Sequence, residues 1–132
     1  MQIISRAFGI YGTNCYVVVL SDGEIIIDPG DGALEWIERV CKNPLAVFCT
    51  HGHFDHLLGV DGFKETLGVE TYISEDDMSQ VRMTPEMLQM FLGMMGGSIP
   101  NITGYVKDGD VIKIGNVDIK VIATPGHTKG GM

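Results

Sequence analysis

The chain has 132 residues, 45% of them hydrophobic, which is enough for one compact domain with a buried core and short for two. Its formal net charge of -8, with only 9 Lys and Arg in total, argues against a protein that wraps nucleic acid, because phosphate binding needs clustered cations. No apolar run approaches the ~20 residues of a membrane-spanning helix, and the N-terminus lacks the basic patch and apolar stretch of a signal peptide, so a single cytoplasmic domain over residues 1–132 is expected.

The first third reads as strands, over residues 2–8, 15–20 and 24–28, with Ser21-Asp22-Gly23 turning between the last two. Asp31 and Gly32 open a helical stretch to about Lys42, in which Leu34, Ile37, Val40 and Cys41 recur at three- and four-residue spacing. Asn43-Pro44 ends it. Residues 45–49 are a short unbroken apolar run, the pattern of a strand covered on both faces. A helix is expected from Asp55 or His56 to about Leu67, capped by Gly68, followed by a strand over residues 69–73.

Ser74-Glu75-Asp76-Asp77 reads as a helix N-terminus with acids in the first turn, and Thr84-Pro85-Glu86 as another helix start. Met83, Met87, Met90, Phe91 and Met94 then share one face, a pattern that fits ordinary packing and also suits an adaptable substrate-facing surface. Residues 109–114 and 117–123 form a hairpin around Gly115-Asn116. Strands and helices alternate through the middle, with hairpins at both ends, so the fold class is α/β (α+β), a mixed sheet flanked by helices.

Cys15, Cys41 and Cys49 are an odd set without CxxC spacing and sit in apolar surroundings, where buried reduced thiols are expected. The histidines are more informative. All 4 of them, His51, His53, His56 and His127, fall in two short segments that each follow an expected strand. In extended chain, residues two apart project to the same side, so His51 and His53 can reach one ion together, with Gly52 permitting a close approach. Asp55 and His56 point elsewhere from the start of the next helix, as a second, adjacent ion requires. A lone histidine is usually an ordinary surface or core side chain. Three histidines and an aspartate packed into residues 51–56 carry mutual repulsion and desolvation that a cation relieves, so metal binding is expected of the cluster.

Thr50-His51-Gly52-His53-Phe54-Asp55-His56 resembles the HxHxDH signature of the metallo-β-lactamase superfamily, and Thr124-Pro125-Gly126-His127-Thr128 resembles the motif that supplies its third histidine. Ile27-Asp28-Pro29-Gly30 and Thr13-Asn14-Cys15-Tyr16 resemble two earlier strand motifs of the same superfamily, most like its hydroxyacylglutathione hydrolases. The resemblance implies that His51, His53 and His127 hold a first ion and that Asp55 and His56 belong to a second. It implies that Asp28 and Thr50 orient the ligands, although an Asp before Pro-Gly is equally a simple turn residue.

The implied activity is zinc-dependent hydrolysis of a small thioester, ester or lactone, with one or two ions. Zinc held by three imidazoles keeps a position for water and lowers its pKa to about 7, giving hydroxide at neutral pH, and Asp55 orients that water or accepts its proton. Iron or manganese are alternative metals, and an iron-dependent oxidoreductase resembling sulfur dioxygenases is the alternative reaction.

The family's fold is a four-layer αββα sandwich, of which this chain corresponds to the N-terminal portion, about half. The later bridging aspartate and the last histidine of the second site have no counterpart in it, and His127 stands 5 residues before Met132, where fraying is expected. A truncated fragment without activity is therefore a further reading. The sheet face that would meet the second half is expected to be apolar, which predicts a homo-oligomer or a missing C-terminal segment, with a small molecule as substrate.

Overall fold

In the computed structural model, residues 1–53, 56, 68–77 and 102–132 are described. Three strands, β1 (Gln2–Phe8), β2 (Thr13–Val19) and β3 (Glu24–Ile27), form an antiparallel meander, and the chain then crosses through helix α1 (Ala33–Val40) to β4 (Pro44–Phe48), which runs parallel to β3. Strands β5 (Glu70–Ser74) and β6 (Gly104–Val106) add parallel neighbours, completing a six-stranded mixed sheet in the order β1-β2-β3-β4-β5-β6. A separate antiparallel hairpin pairs β7 (Val111–Ile114) with β8 (Val117–Lys120).

Alternation along the strands assigns the two faces of the sheet. Cys15 and Val17 of β2, Ile26 of β3 and Val47 of β4 point to one face and pack against Ala33, Trp36 and Ile37 of α1. Ile25, Ala46 and Phe48 point to the other, where Ile114 and the partly buried Ile112, Val117 and Ile119 of the hairpin meet them. The apolar run of β4 is thus explained, since a central parallel strand is covered on both sides. The expectation of a mixed sheet with flanking elements holds.

Element ends differ from the sequence reading for identifiable reasons. The helix begins at Ala33, two residues later than expected, because Gly32 is left-handed (φ 82) and cannot be its first helical residue. It ends at Val40, and the chain beyond is held by the Glu24 carboxylate, which accepts from the backbone N–H groups of Asn43 (2.8 Å) and Lys42 (3.2 Å). Strand β6 was not anticipated: three residues are too few for an alternating pattern, and Gly104 is selected by contact, since a Cβ there would collide with the Tyr72 ring. Ser74 does cap the following turn, its Oγ accepting from Asp76 N at 3.3 Å, but Glu75–Asp77 form a short 3-10 turn and Asp77 is fully buried rather than placed among the solvent-facing acids. Gly68 has the positive φ (67) expected of a helix-terminating glycine. The helix expected over residues 55–67, the second helix start at residue 84 and the methionine face lie outside the described residues, as does Asp55.

No helix among the described residues is long and apolar enough to cross a membrane. The three cysteines are free; Cys15 and Cys49 are buried and Cys41 is half-buried. Burial, with the carboxylate of Asp28 nearby, pushes the Cys15 thiol up to about 12 and the Cys49 thiol well above its ordinary value. All three behave as apolar side chains, as their surroundings suggested.

Candidate metal centre

The site lies at the C-terminal ends of the parallel strands, where α/β sheets present their loops. Asp28 directly follows β3, β4 runs out toward Thr50-His51-Gly52-His53, β5 is followed by the turn that ends at Asp77, and the loop after β8 carries His127. The two histidine segments, separated by 74 positions, close on one another: His127 Nε2 stands 3.0 Å from His53 Nδ1. His51 completes the group, its ring centroid 4.8 Å from that of His53 and 5.0 Å from that of His127. One donor nitrogen from each of His51, His53 and His127 lies within 4.8 Å of the others, and Asp28, His51 and His56 form a second such group.

The hydrogen bonds around His51 determine which nitrogen it presents. Asp28 Oδ1 accepts from Thr50 N at 2.7 Å and Oδ2 accepts from the Thr50 hydroxyl at 2.6 Å. With its single proton committed to a carboxylate, Thr50 Oγ1 can only accept from His51 Nδ1, 2.9 Å away. The proton of a neutral His51 therefore sits on Nδ1, and Nε2 carries the lone pair. That Nε2 is buried and has no hydrogen-bond partner among the described residues, which is what an absent cation would leave behind. Burial, followed by the neighbouring His56 ring, holds His51 below its ordinary pKa of 6.5, with Asp28 opposing, so the neutral, metal-binding form is favoured.

His56 also lies against this carboxylate, its Nδ1 3.0 Å from Asp28 Oδ2. Asp28 is buried (4% exposed) and has a left-handed backbone (φ 52), unusual for a residue other than glycine and tolerable for aspartate. That conformation turns a side chain at the end of β3 back over the end of β4, so Asp28 is more than a turn former before Pro29-Gly30.

The loop bearing His127 is tied down at several points. Thr124 N donates to Gly131 O (2.7 Å), Gly126 N to Thr128 O (3.0 Å) and Met132 N to Thr50 O (2.9 Å). Asp77, which sequence reasoning passed over as one of several acids in a helix start, accepts from Gly52 N, Thr128 Oγ1 and Gly130 N. No local pattern could have singled it out, because all three of its donors are distant in sequence.

The donor set fits a divalent cation. Two imidazole nitrogens bound to one tetrahedral zinc at about 2.0–2.1 Å would stand roughly 3.3 Å apart, close to the observed His53–His127 separation. His53 is half-buried and His127 exposed, so the group opens to solvent on one side, beside a cleft of about 140 Å³ lined by Thr50, His51, Thr124 and His127. The three imidazoles therefore converge from one side and leave the other open.

Comparison with known proteins decides the family. Residues 9–132 match the model of the metallo-beta-lactamase superfamily. The chain belongs to that superfamily. A hydroxyacylglutathione hydrolase of Haemophilus influenzae is 32% identical over 115 residues, covering 80% of this chain and 51% of the relative. Among solved structures, the BLEG-1 B3 metallo-beta-lactamase is similar over 98% of this chain and 65% of its own, with a TM-score of 0.80 and 27% identity. TTHA1623 in a di-iron-bound form is similar over 97% of this chain and 64% of its own, with a TM-score of 0.77 and 25% identity. An uncharacterized Mycobacterium tuberculosis relative, 32% identical along all of this chain, is likewise spanned over only 64% of its length. The chain thus spans about half to two thirds of the length of these four proteins.

Proposed function

We propose that the chain carries the metal-binding half of a zinc-dependent hydrolase acting on a small thioester, ester or lactone. The observation that carries this reading is the convergence of one nitrogen each from His51, His53 and His127, with the hydrogen bonds through Thr50 to Asp28 favouring the His51 tautomer that leaves Nε2 free. His51, His53 and His127 would hold the first ion, and His56 with Asp55 would contribute to a second. When bound, the ion supplies Lewis acidity, which polarises a carbonyl and activates water at neutral pH.

The chain's own residues do the rest. Thr50 relays the orientation of the Asp28 carboxylate to His51, and the same carboxylate lies against His56. Asp55, placed by the sequence motif, is assigned to orienting the attacking water and taking its proton. The small open cleft beside His51 and His127 gives a substrate carbonyl access from solvent. The thioester preference rests on the similarity to hydroxyacylglutathione hydrolases.

The test is metal analysis of the purified chain, followed by assays of hydroxyacyl thioesters with added zinc. Turnover that disappears in His53→Ala supports the reading. Absence of bound metal, or turnover indifferent to that substitution, overturns it. A second reading, iron in place of zinc serving an oxidative reaction, is favoured by the similarity to TTHA1623 in its di-iron-bound form. Iron as the dominant metal after growth with both metals supplied, and dioxygen consumption with a thiol substrate, would favour that reading.

A further inference from the structure

We propose that Asp77 is a positioning residue: its carboxylate clamps the two histidine-bearing loops together and so sets the separation of His53 from His127. The inference rests on the reading of His51, His53 and His127 as ligands of one ion. Asp77 lies at the end of the 3-10 turn after β5, is fully buried and belongs to neither histidine segment. Its Oδ2 accepts from Gly52 N (2.8 Å), the peptide between His51 and His53, and from Thr128 Oγ1 (2.7 Å), the residue after His127. Its Oδ1 accepts from Gly130 N (2.6 Å), on the far limb of the same loop. One acceptor-only group therefore joins the centre of the first ligand segment to both limbs of the second.

The chemistry of the position is specific. Three donors converge on two oxygens, and a carboxylate can satisfy all three, whereas an amide must turn an NH2 toward at least one of them. The backbone is shaped to the same end: a Cβ at Gly130 would lie 2.6 Å from Asp77 Oδ1 and 2.7 Å from its backbone N, so only glycine lets the loop come this close. Among the described residues the two loops also meet through Met132 N to Thr50 O and through the contacts of the His127 ring with those of His51 and His53, none of which fixes Gly52. Without the clamp, the two imidazoles are no longer held at 3.0 Å before an ion arrives.

The experiment compares the unaltered chain with Asp77→Asn, Gly130→Ala and the milder Thr128→Val, which removes one donor and leaves the carboxylate. Two readouts are used: affinity and ligand-field spectrum with Co²⁺ alone, and the NMR cross-relaxation between the His53 and His127 rings in the metal-free chain. Expected are a 10–100-fold loss of Co²⁺ affinity with altered visible bands in Asp77→Asn and Gly130→Ala, a smaller loss in Thr128→Val, and weakening of the inter-ring signal in the same order. Signals within the β1–β4 sheet should remain, which separates a loosened clamp from general unfolding. Unchanged Co²⁺ affinity and an unchanged inter-ring signal in Asp77→Asn and Thr128→Val overturn the proposal while the metal reading stands. Should the unaltered chain bind no Co²⁺, the metal reading fails, and the inter-ring signal alone decides the clamp: its loss supports the role of Asp77 and its persistence refutes it.

Discussion

Replacing Asp28 by asparagine should damage metal binding more than stability, because of where it puts one proton. In the native arrangement the carboxylate takes the Thr50 hydroxyl proton at 2.6 Å, which obliges Thr50 Oγ1 to accept from His51 Nδ1 and leaves His51 Nε2 free for a cation. Asparagine tolerates the left-handed backbone at φ 52 and can still accept from Thr50 N through its carbonyl. Its NH2 then occupies the Oδ2 position and donates to Thr50 Oγ1, whose proton turns toward His51 Nδ1. That ring must accept, its own proton moves to Nε2, and the metal-facing nitrogen is blocked; His56, 3.0 Å from Oδ2, meets the same amide.

Loss of an orienting partner of this kind costs about 10–100-fold in metal affinity, roughly 1.4–2.7 kcal/mol. The cost in stability should be about 1–2 kcal/mol, since one of the two Thr50 bonds survives. Asp28→Ala is the contrasting variant. It forfeits two charge-assisted bonds of about 1.5–3 kcal/mol each and adds roughly 1 kcal/mol for alanine in a left-handed conformation, so about 4–7 kcal/mol is at risk. Against a typical domain stability of ~5–15 kcal/mol, that approaches unfolding. Zinc competition with a chromophoric chelator measures affinity, urea unfolding of the metal-free chain measures stability, and ¹⁵N NMR of the imidazoles reports the tautomer. An Asp28→Asn chain that binds zinc as the unaltered chain does, with His51 still protonated on Nδ1, would refute the relay.

Single alanine substitutions at His51, His53 and His127 should each lower bound zinc to well under one ion per chain at micromolar metal, measured by elemental analysis after desalting, with the described sheet intact by circular dichroism. The metal-free chain should lose stability as pH falls through 6.5. His51 is held below that ordinary value, chiefly by burial and then by His56, so the unfolded chain binds its proton first. Urea midpoints between pH 8 and pH 5 check this, and a midpoint that rises on acidification contradicts it. For Cys15 the direction reverses with the charge: its thiol is raised to about 12, so the stability it contributes is complete below its ordinary 9.0 and is lost as pH climbs from there. Thiol titration with a chromogenic disulfide at pH 8 should be slow for Cys15 and Cys49 in the folded chain and complete for all three cysteines in denaturant.

What the sequence made legible and what it hid divide along sequence separation. The His51–His53–His56 group is local: alternation on an extended segment places His51 and His53, His56 follows at the start of the next helix, and the metal logic follows from that stretch alone. The first strands of the sheet were also readable, because β2, β3 and β4 each carry an alternating or continuous apolar pattern and the connections between them hold Gly or Pro, whereas the order of all six strands was not. Asp28 was ambiguous, since an aspartate before Pro-Gly satisfies a turn equally well; only its φ of 52 and its bonds across 22 positions to Thr50 separate the two roles.

Asp77 marks the limit. Its three donors lie 25, 51 and 53 positions away, and on the page it is the last of three consecutive acids, two of which face solvent. The one local trace was Gly130-Gly131 after the TPGHT motif. Two glycines there are unnecessary for a histidine to reach an ion, but they are required once a buried carboxylate sits against the first and the Thr124 carbonyl against the second. Glycine at such a spot records a neighbour that the pattern itself does not name. Ligands chosen for what they offer a cation can therefore be found by spacing, whereas the groups that hold the ligand loops at the right distance are found only when the fold brings their partners together.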